Sequence, residues 1–152
     1  MNDPPDGPPT EELWEALAFV ATHPHVFLLT RRADGFPTGY AMTARVDGTN
    51  VLFSTYGASA KVTNLLREGT ARVLAFDEGG GSSVVEVGGP VRLVEASRWL
   101  DTVGAPVDAG TPVGMGPVPN EVVDQVRRRH ESGKRVVVEM QPTHARRGGR
   151  LL

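Results

Sequence analysis

Cysteine is absent from the chain. That excludes disulfides, thiolate chemistry, and zinc or iron–sulfur centres held by cysteine. No apolar run approaches the ~20 residues that a membrane-spanning helix needs, so no membrane partner is expected. Basic charge is not in excess either. The formal net charge is −2, and nothing global argues for nucleic acid. The opening segment MNDPPDGPPT is acidic and proline-rich, the opposite of a signal peptide, and the expectation is a cytoplasmic protein.

What is present fits one soluble globular domain. The chain has 152 residues, of which 39% are hydrophobic and 22% charged. That is long enough for a real core and too short for two. Residues 1–9 read as a disordered leader, residues 10–143 as the domain, and residues 144–152 as a basic tail ordered only by a partner or ligand.

The most informative stretch is VLFSTYGASAKVTNLL, residues 51–66. Val51 to Thr55 suit a half-buried strand. The chain then turns through Tyr56-Gly57-Ala58, and Ser59 is a good N-cap for a following helix. Val62, Leu65 and Leu66 recur at helical spacing and are expected to face a core, with Lys61 and Asn64 on another face. A capped helix N-terminus offers backbone N–H groups and a partial positive charge. With Lys61 in the first turn, it suits a phosphate. Short motifs of this kind also match by chance, and a capped surface helix with a solvated lysine is the plain alternative.

The rest of the chain supplies context. Thr10 caps a helix ending near Thr22, ahead of Pro24. HVFLLTRR (25–32) reads as a strand, Asp34-Gly35 as a hairpin turn, and Thr38 to Val46 as the returning strand. With Val51–Thr55 these make a three-stranded meander. Gly69 is a C-cap, ARVLAFD (71–77) a fourth strand, and Gly79 to Ser83 a turn. Val84 to Val94 is a long fifth strand, in which Gly88-Gly89-Pro90 marks a bulge or sharp bend. Ala96 to Val103 reads as a short helix with Trp99 and Leu100 facing inward. Residues 104–119 read as a long loop, either a lid or a plain connection. A helix opens at Pro119, with Val122, Val123 and Val126 on one side and Arg127-Arg128-Arg129 at its C-terminal end. KRVVVEM (134–140) is a sixth strand. About six short, mostly antiparallel strands with a few helices point to an α+β protein built on a small barrel, because closure removes edge strands.

These residues resemble the pyridoxamine 5′-phosphate oxidase-like split β-barrel family, the FMN-binding split-barrel type, which includes flavin- and deazaflavin-dependent oxidoreductases. The resemblance runs from about His25 to Met140. Its most telling parts are LLTRRADGFPTGYAMT (28–43), FSTYGASAKVTNL (53–65) and ARVLAF (71–76). It implies that Ser54, Thr55, Ser59 and Lys61 hold a cofactor phosphate and that Asn64 anchors the helix. It also implies that Tyr40, Ala41, Met42 and Thr43 lie beside the ring. The implied cofactor is coenzyme F-420 or FMN, with a small-molecule substrate and a homodimer whose sites lie at the subunit interface. Two departures argue against pyridoxamine phosphate as the substrate. Ala60 stands where those oxidases carry arginine, and the chain ends in RRGGRLL rather than a tryptophan-proline-arginine signature.

Because such cofactors carry the hydride themselves, no catalytic acid or base is required, and none is assigned. Tyr40 is expected to pack against the ring rather than act as an acid. The alternative on the same fold is a non-catalytic flavin or haem carrier. His23-Pro24-His25, His130 and His144 give no metal-ligand pattern, no metal is expected, and the glycines at 79–81 lack the features of a P-loop. The basic groups Arg127-Arg128-Arg129-His130 and Arg146-Arg147-Arg150 suit a solvated surface, nucleic acid, or the phosphate and polyglutamate tail of F-420, and a basic-tailed interaction module is the second alternative.

Overall fold

The structure is a computed structural model and describes residues 10–79, 83–102 and 120–148. The leader 1–9, the loop 104–119, the centre of the 79–83 turn and the last residues of the tail lie outside the described residues. Helix α1 (Glu11–Thr22) leads into β1 (His25–Arg31), β2 (Pro37–Thr43), β3 (Arg45–Asp47) and β4 (Asn50–Tyr56). Helix α2 (Ala60–Glu68) precedes β5 (Thr70–Phe76) and β6 (Val84–Val94). The short α3 (Ala96–Leu100) and α4 (Asn120–Glu131) precede β7 (Arg135–Met140) and β8 (His144–Gly148).

The strands run in the order β2-β1-β5-β6-β7-β4-β3, with β8 added to β6, and their pairings are antiparallel. The two ends of that path, β2 and β3, are separated in the chain by Ala44 alone. Chain continuity there brings the path back on itself, and the result is an α+β split barrel. Strand β6 joins its halves. Residues Val84 to Gly88 pair with both β5 and β8, and Val91 to Val94 pair with β7. The Gly88-Gly89-Pro90 bend lies at that switch, as the sequence suggests. A Cβ on Gly89 would run into the backbone carbonyl of Gln141, so the close approach requires glycine.

Local chemistry explains the element ends. Thr10 Oγ1 accepts a hydrogen bond from the Leu13 N–H at 3.2 Å and caps α1. Gly69 closes α2 in the left-handed conformation, φ 69°, which costs an L side chain energy and glycine little. From α1, Leu13, Ala16, Leu17 and Val20 enter a core shared with Val26, Leu28, Val73, Val85, Val87 and Met140. A second, smaller cluster joins Leu52, Trp99 and Val137 under α3 and α4. Val51 and Phe53 face the first core and Leu52 the second. The apolar run in β4 is therefore unbroken because both its faces are covered.

The structure corrects four expectations. The described residues form eight strands rather than about six. The meander is not formed, because the expected strand 38–46 breaks at Ala44, whose N–H bonds the Pro24 carbonyl at 2.8 Å. Its two parts enter different halves of the barrel. Leu66 does not face the core but is 49% exposed. Finally, His144–Gly148 is not a loose tail segment, since its backbone pairs with β6 from Val84 to Gly88. No helix among the described residues is long and apolar enough to cross a membrane.

Candidate anion-binding cleft

The strand–turn–helix block forms as its residues dictate. Ser59 is extended (φ −79°, ψ 151°), and its Oγ accepts from the Val62 N–H at 3.3 Å, which caps α2. The Gly57 N–H donates to the Lys134 carbonyl at 3.0 Å, tying the turn to the residue before β7. One residue into α2, Lys61 folds back and donates from Nζ to Thr55 Oγ1 at 3.1 Å. The same ammonium lies 5.2 Å from the centre of the Tyr40 ring, a cation–π distance. Burial, and then the positive charge of Arg135, hold the Lys61 pKa below the ordinary lysine value. The ammonium has no carboxylate partner among the described residues.

Strand pairing brings the opposite wall. Thr55 and Tyr56 lie against Val136 and Arg135 in the β4–β7 register. Arg135 stacks over the Tyr56 ring at 4.7 Å. It also reaches two residues along β4, donating from Nε to Ser54 Oγ at 3.0 Å and from Nη2 to the Ser54 carbonyl at 3.1 Å. From α4, His130 approaches the same hydroxyl, with Nε2 2.9 Å from Ser54 Oγ. Its other nitrogen, Nδ1, lies 2.7 Å from the Val126 carbonyl. A carbonyl only accepts, so Nδ1 carries a proton, and in the neutral ring Nε2 is the acceptor of the Ser54 hydroxyl.

Between these walls lies a cleft of about 330 Å³. On one side are Ala41, Met42 and Thr43 of β2. Ser54, Thr55 and Tyr56 of β4, with Lys61, form its floor, and Trp99, Val126, Arg129, His130 and Arg135 close the other side. None of these residues is acidic, whereas Lys61, Arg129 and Arg135 are basic and His130 is a histidine. Trp99 is held at the edge by Arg45, whose guanidinium lies 5.0 Å over the indole and whose Nη1 donates to the Thr102 carbonyl at 3.2 Å. Helix α3 is pinned by Arg98, which contacts Glu139 at 2.6 Å and Asp47 at 3.1 Å. Burial alone would lower the Arg98 pKa, but Glu139 and Asp47 raise it above the ordinary arginine value.

Of the residues singled out from the sequence, Met42, Thr43, Ser54, Thr55 and Lys61 line this cleft together, as does Ala41. Tyr40, Ser59 and Asn64 do not line it and instead support it. Ser59 spends its hydroxyl on the helix cap. Asn64 is buried, accepts from Arg67 Nη2 at 2.9 Å and donates to the Tyr40 hydroxyl at 3.4 Å, fixing the ring beneath Lys61. Arg135 and Trp99 also line the cleft, and nothing in the sequence singles them out as site residues. Arg129 and His130 come from the basic run whose alternatives include the phosphate and tail of F-420. His130 stands isolated in sequence, and only the tertiary fold brings it to Ser54.

An all-antiparallel split barrel with a hydroxyl- and cation-lined cleft at its strand–turn–helix block defines the class. The chain belongs to the pyridoxamine 5′-phosphate oxidase family, whose model matches residues 14–147. Among solved structures it is similar to a conserved hypothetical protein from Mycobacterium tuberculosis. The TM-score is 0.69 at 24% identity, covering 97% of this chain and 89% of that one. It is also similar to an F420 reductase, with TM-score 0.57 at 20% identity, covering 91% of this chain and 98% of that one. A third is PhzG from Burkholderia lata, in complex with tetrahydrophenazine-1-carboxylic acid. There the TM-score is 0.58 at 20% identity, covering 93% of this chain and 81% of that one. At these identities the structures establish the shared fold. Comparison with curated proteins gives no match.

Proposed function

We propose that the cleft holds the phosphate of a flavin-type cofactor, coenzyme F-420 or FMN, and that the protein is an oxidoreductase acting on a small organic molecule. One observation carries this reading: Lys61 and Arg135 converge on the hydroxyls of Thr55 and Ser54 in a cleft with no acidic lining residue. Two cations without carboxylate partners among the described residues suit an anionic group such as a phosphate. The family relationship supports a flavin-type ligand, and the F420 reductase on the same fold favours redox chemistry.

In this reading Ser54, Thr55, Lys61 and Arg135 bind the phosphate. Met42 and Thr43 lie along the ring, and Tyr40, Ser59 and Asn64 keep Lys61 and α2 in place. When bound, the cofactor supplies the two-electron transfer, and the chain contributes orientation and electrostatics. Tyr40 is a support rather than an acid, since it does not line the cleft and its ring packs against the Lys61 ammonium.

A homodimer completes the site. The outer face of β1 and β5 leaves Phe27 41% exposed and stacked on Phe76 at 5.7 Å, with Leu29 and Leu74 half-buried beside them. Ala41, which lines the cleft, pairs with Phe27 in register. A second copy on this face would therefore wall the ring end of the cleft. Deazaflavin is favoured over FMN because Arg129 lines the same cleft as a further cation, which suits a ligand with acidic groups besides its phosphate.

The test is a titration of the ligand-free protein with FMN and with F-420, followed by Trp99 fluorescence and calorimetry. Micromolar binding of either, with turnover of its reduced form against small acceptors, supports the oxidoreductase. Binding without turnover turns the assignment to a carrier, and binding of neither overturns the cofactor reading.

A further inference from the structure

The hydrogen-bond arithmetic around Ser54 leads beyond a static phosphate site. A serine hydroxyl has one donor and two acceptor positions. Its oxygen accepts from Arg135 Nε, and with neutral His130 its single proton is committed to Nε2. In that state Ser54 offers no hydrogen-bond donor to an anion. If Nε2 is protonated, the direction of the 2.9 Å bond reverses. His130 and Arg135 then both donate to Ser54 Oγ, its two acceptor positions are filled, and its own proton is free to point into the cleft.

We infer that His130 is a further ligand-binding residue: an anion enters this cleft together with one proton, taken from the solvent onto His130 Nε2, which turns Ser54 into a donor to the ligand. The inference rests on the anionic-ligand reading above and adds its protonation chemistry. Nδ1 keeps its proton throughout, because it faces the Val126 carbonyl. The surrounding charges fit. Arg135 of β7, Lys61 of α2 and Arg129 of α4 face the same cleft, and the Tyr56 phenol of β4 lies under Arg135. The carboxylate of Glu139 on β7 is engaged by Arg92 and by Arg98 of α3 instead. A positive charge on His130 would be the fourth beside Lys61, Arg129 and Arg135, and a bound anion lies among all four. The coupling is reciprocal: a ligand that favours the proton is itself bound more tightly where the proton is abundant.

The probe is inorganic sulfate, which stays a dianion where histidine titrates and so separates His130 from the ligand's own ionisation. Calorimetry of the full chain in two buffers of different ionisation enthalpy, between about pH 6 and 8, reads the protons taken up. The expected result is uptake of up to one proton, with sulfate affinity falling as pH rises, by at most about tenfold per pH unit. His130→Gln should still bind sulfate, more weakly, with no uptake and a flat pH profile. Wild-type binding with no proton uptake across this range overturns the inference and leaves the anion site standing. Failure to bind sulfate, FMN or F-420 overturns both.

Discussion

Replacing Lys61 by alanine separates a phosphate ligand from a solvated helix residue. In the folded protein Nζ makes one hydrogen bond, to Thr55, whose side chain lies in a residue only 3% exposed. Losing that donor costs the ligand-free protein at most about 1 kcal/mol, because Thr55 lines the cleft and water there can replace the lost donor. Relief of the repulsion from Arg135, which helps hold the Lys61 pKa down, works in the opposite direction. The melting temperature should therefore move by no more than about 4 °C. The ligand, by contrast, loses a charge-assisted hydrogen bond worth about 1.5–3 kcal/mol, or roughly 10- to 150-fold in affinity. The assay is the Trp99 fluorescence titration with FMN and F-420, alongside thermal unfolding. A ligand affinity unchanged in a folded Lys61→Ala variant would refute the reasoning.

Other consequences follow from the same contacts. Ser59→Ala removes the α2 cap and should lower stability by about 1 kcal/mol in chemical denaturation. Gly89→Ala drives a methyl group into the Gln141 carbonyl at the β6 bend and should cost about 1–3 kcal/mol by the same measurement. Phe27→Asp places charge on the outer face of β1 and should give a folded monomer by light scattering, whereas a persistent dimer would contradict the proposed face. The lowered pKa of Lys61 has a definite sign. In the window below the ordinary value of 10.5 the unfolded chain binds more protons there than the folded one. Ligand-free wild type should thus gain stability relative to Lys61→Met as pH rises through that window, in parallel denaturation curves.

The parts of the fold that could be read in advance are those decided by neighbours in sequence. Ser59 and Gly69 bound α2 through contacts within a few residues, and the Gly88-Gly89-Pro90 bend announces itself by composition. The break at Ala44 does not, because no glycine or proline marks it. It exists because a buried alanine bonds Pro24 across the barrel seam. Strand β8 was equally hidden. HARRG has no apolar alternation and is held by backbone pairing to β6. The cleft divides the same way. Ser54, Thr55 and Lys61 lie within one local block. Arg135 and His130 reach Ser54 across 81 and 76 positions of sequence, through a β4–β7 register and a helix packing that periodicity does not encode. Arginine at the start of a strand rich in valine was the available signal, and it has no meaning until its partner strand is known.

The central claim is that a cofactor phosphate sits where Ser54, Thr55, Lys61 and Arg135 meet. A crystal structure of the protein with whichever of FMN or F-420 binds more tightly tests it most directly. The account predicts a phosphate within hydrogen-bond distance of those four side chains, with the ring lying along Met42 and Thr43. A phosphate bound elsewhere, with Lys61 still donating only to Thr55, would contradict it.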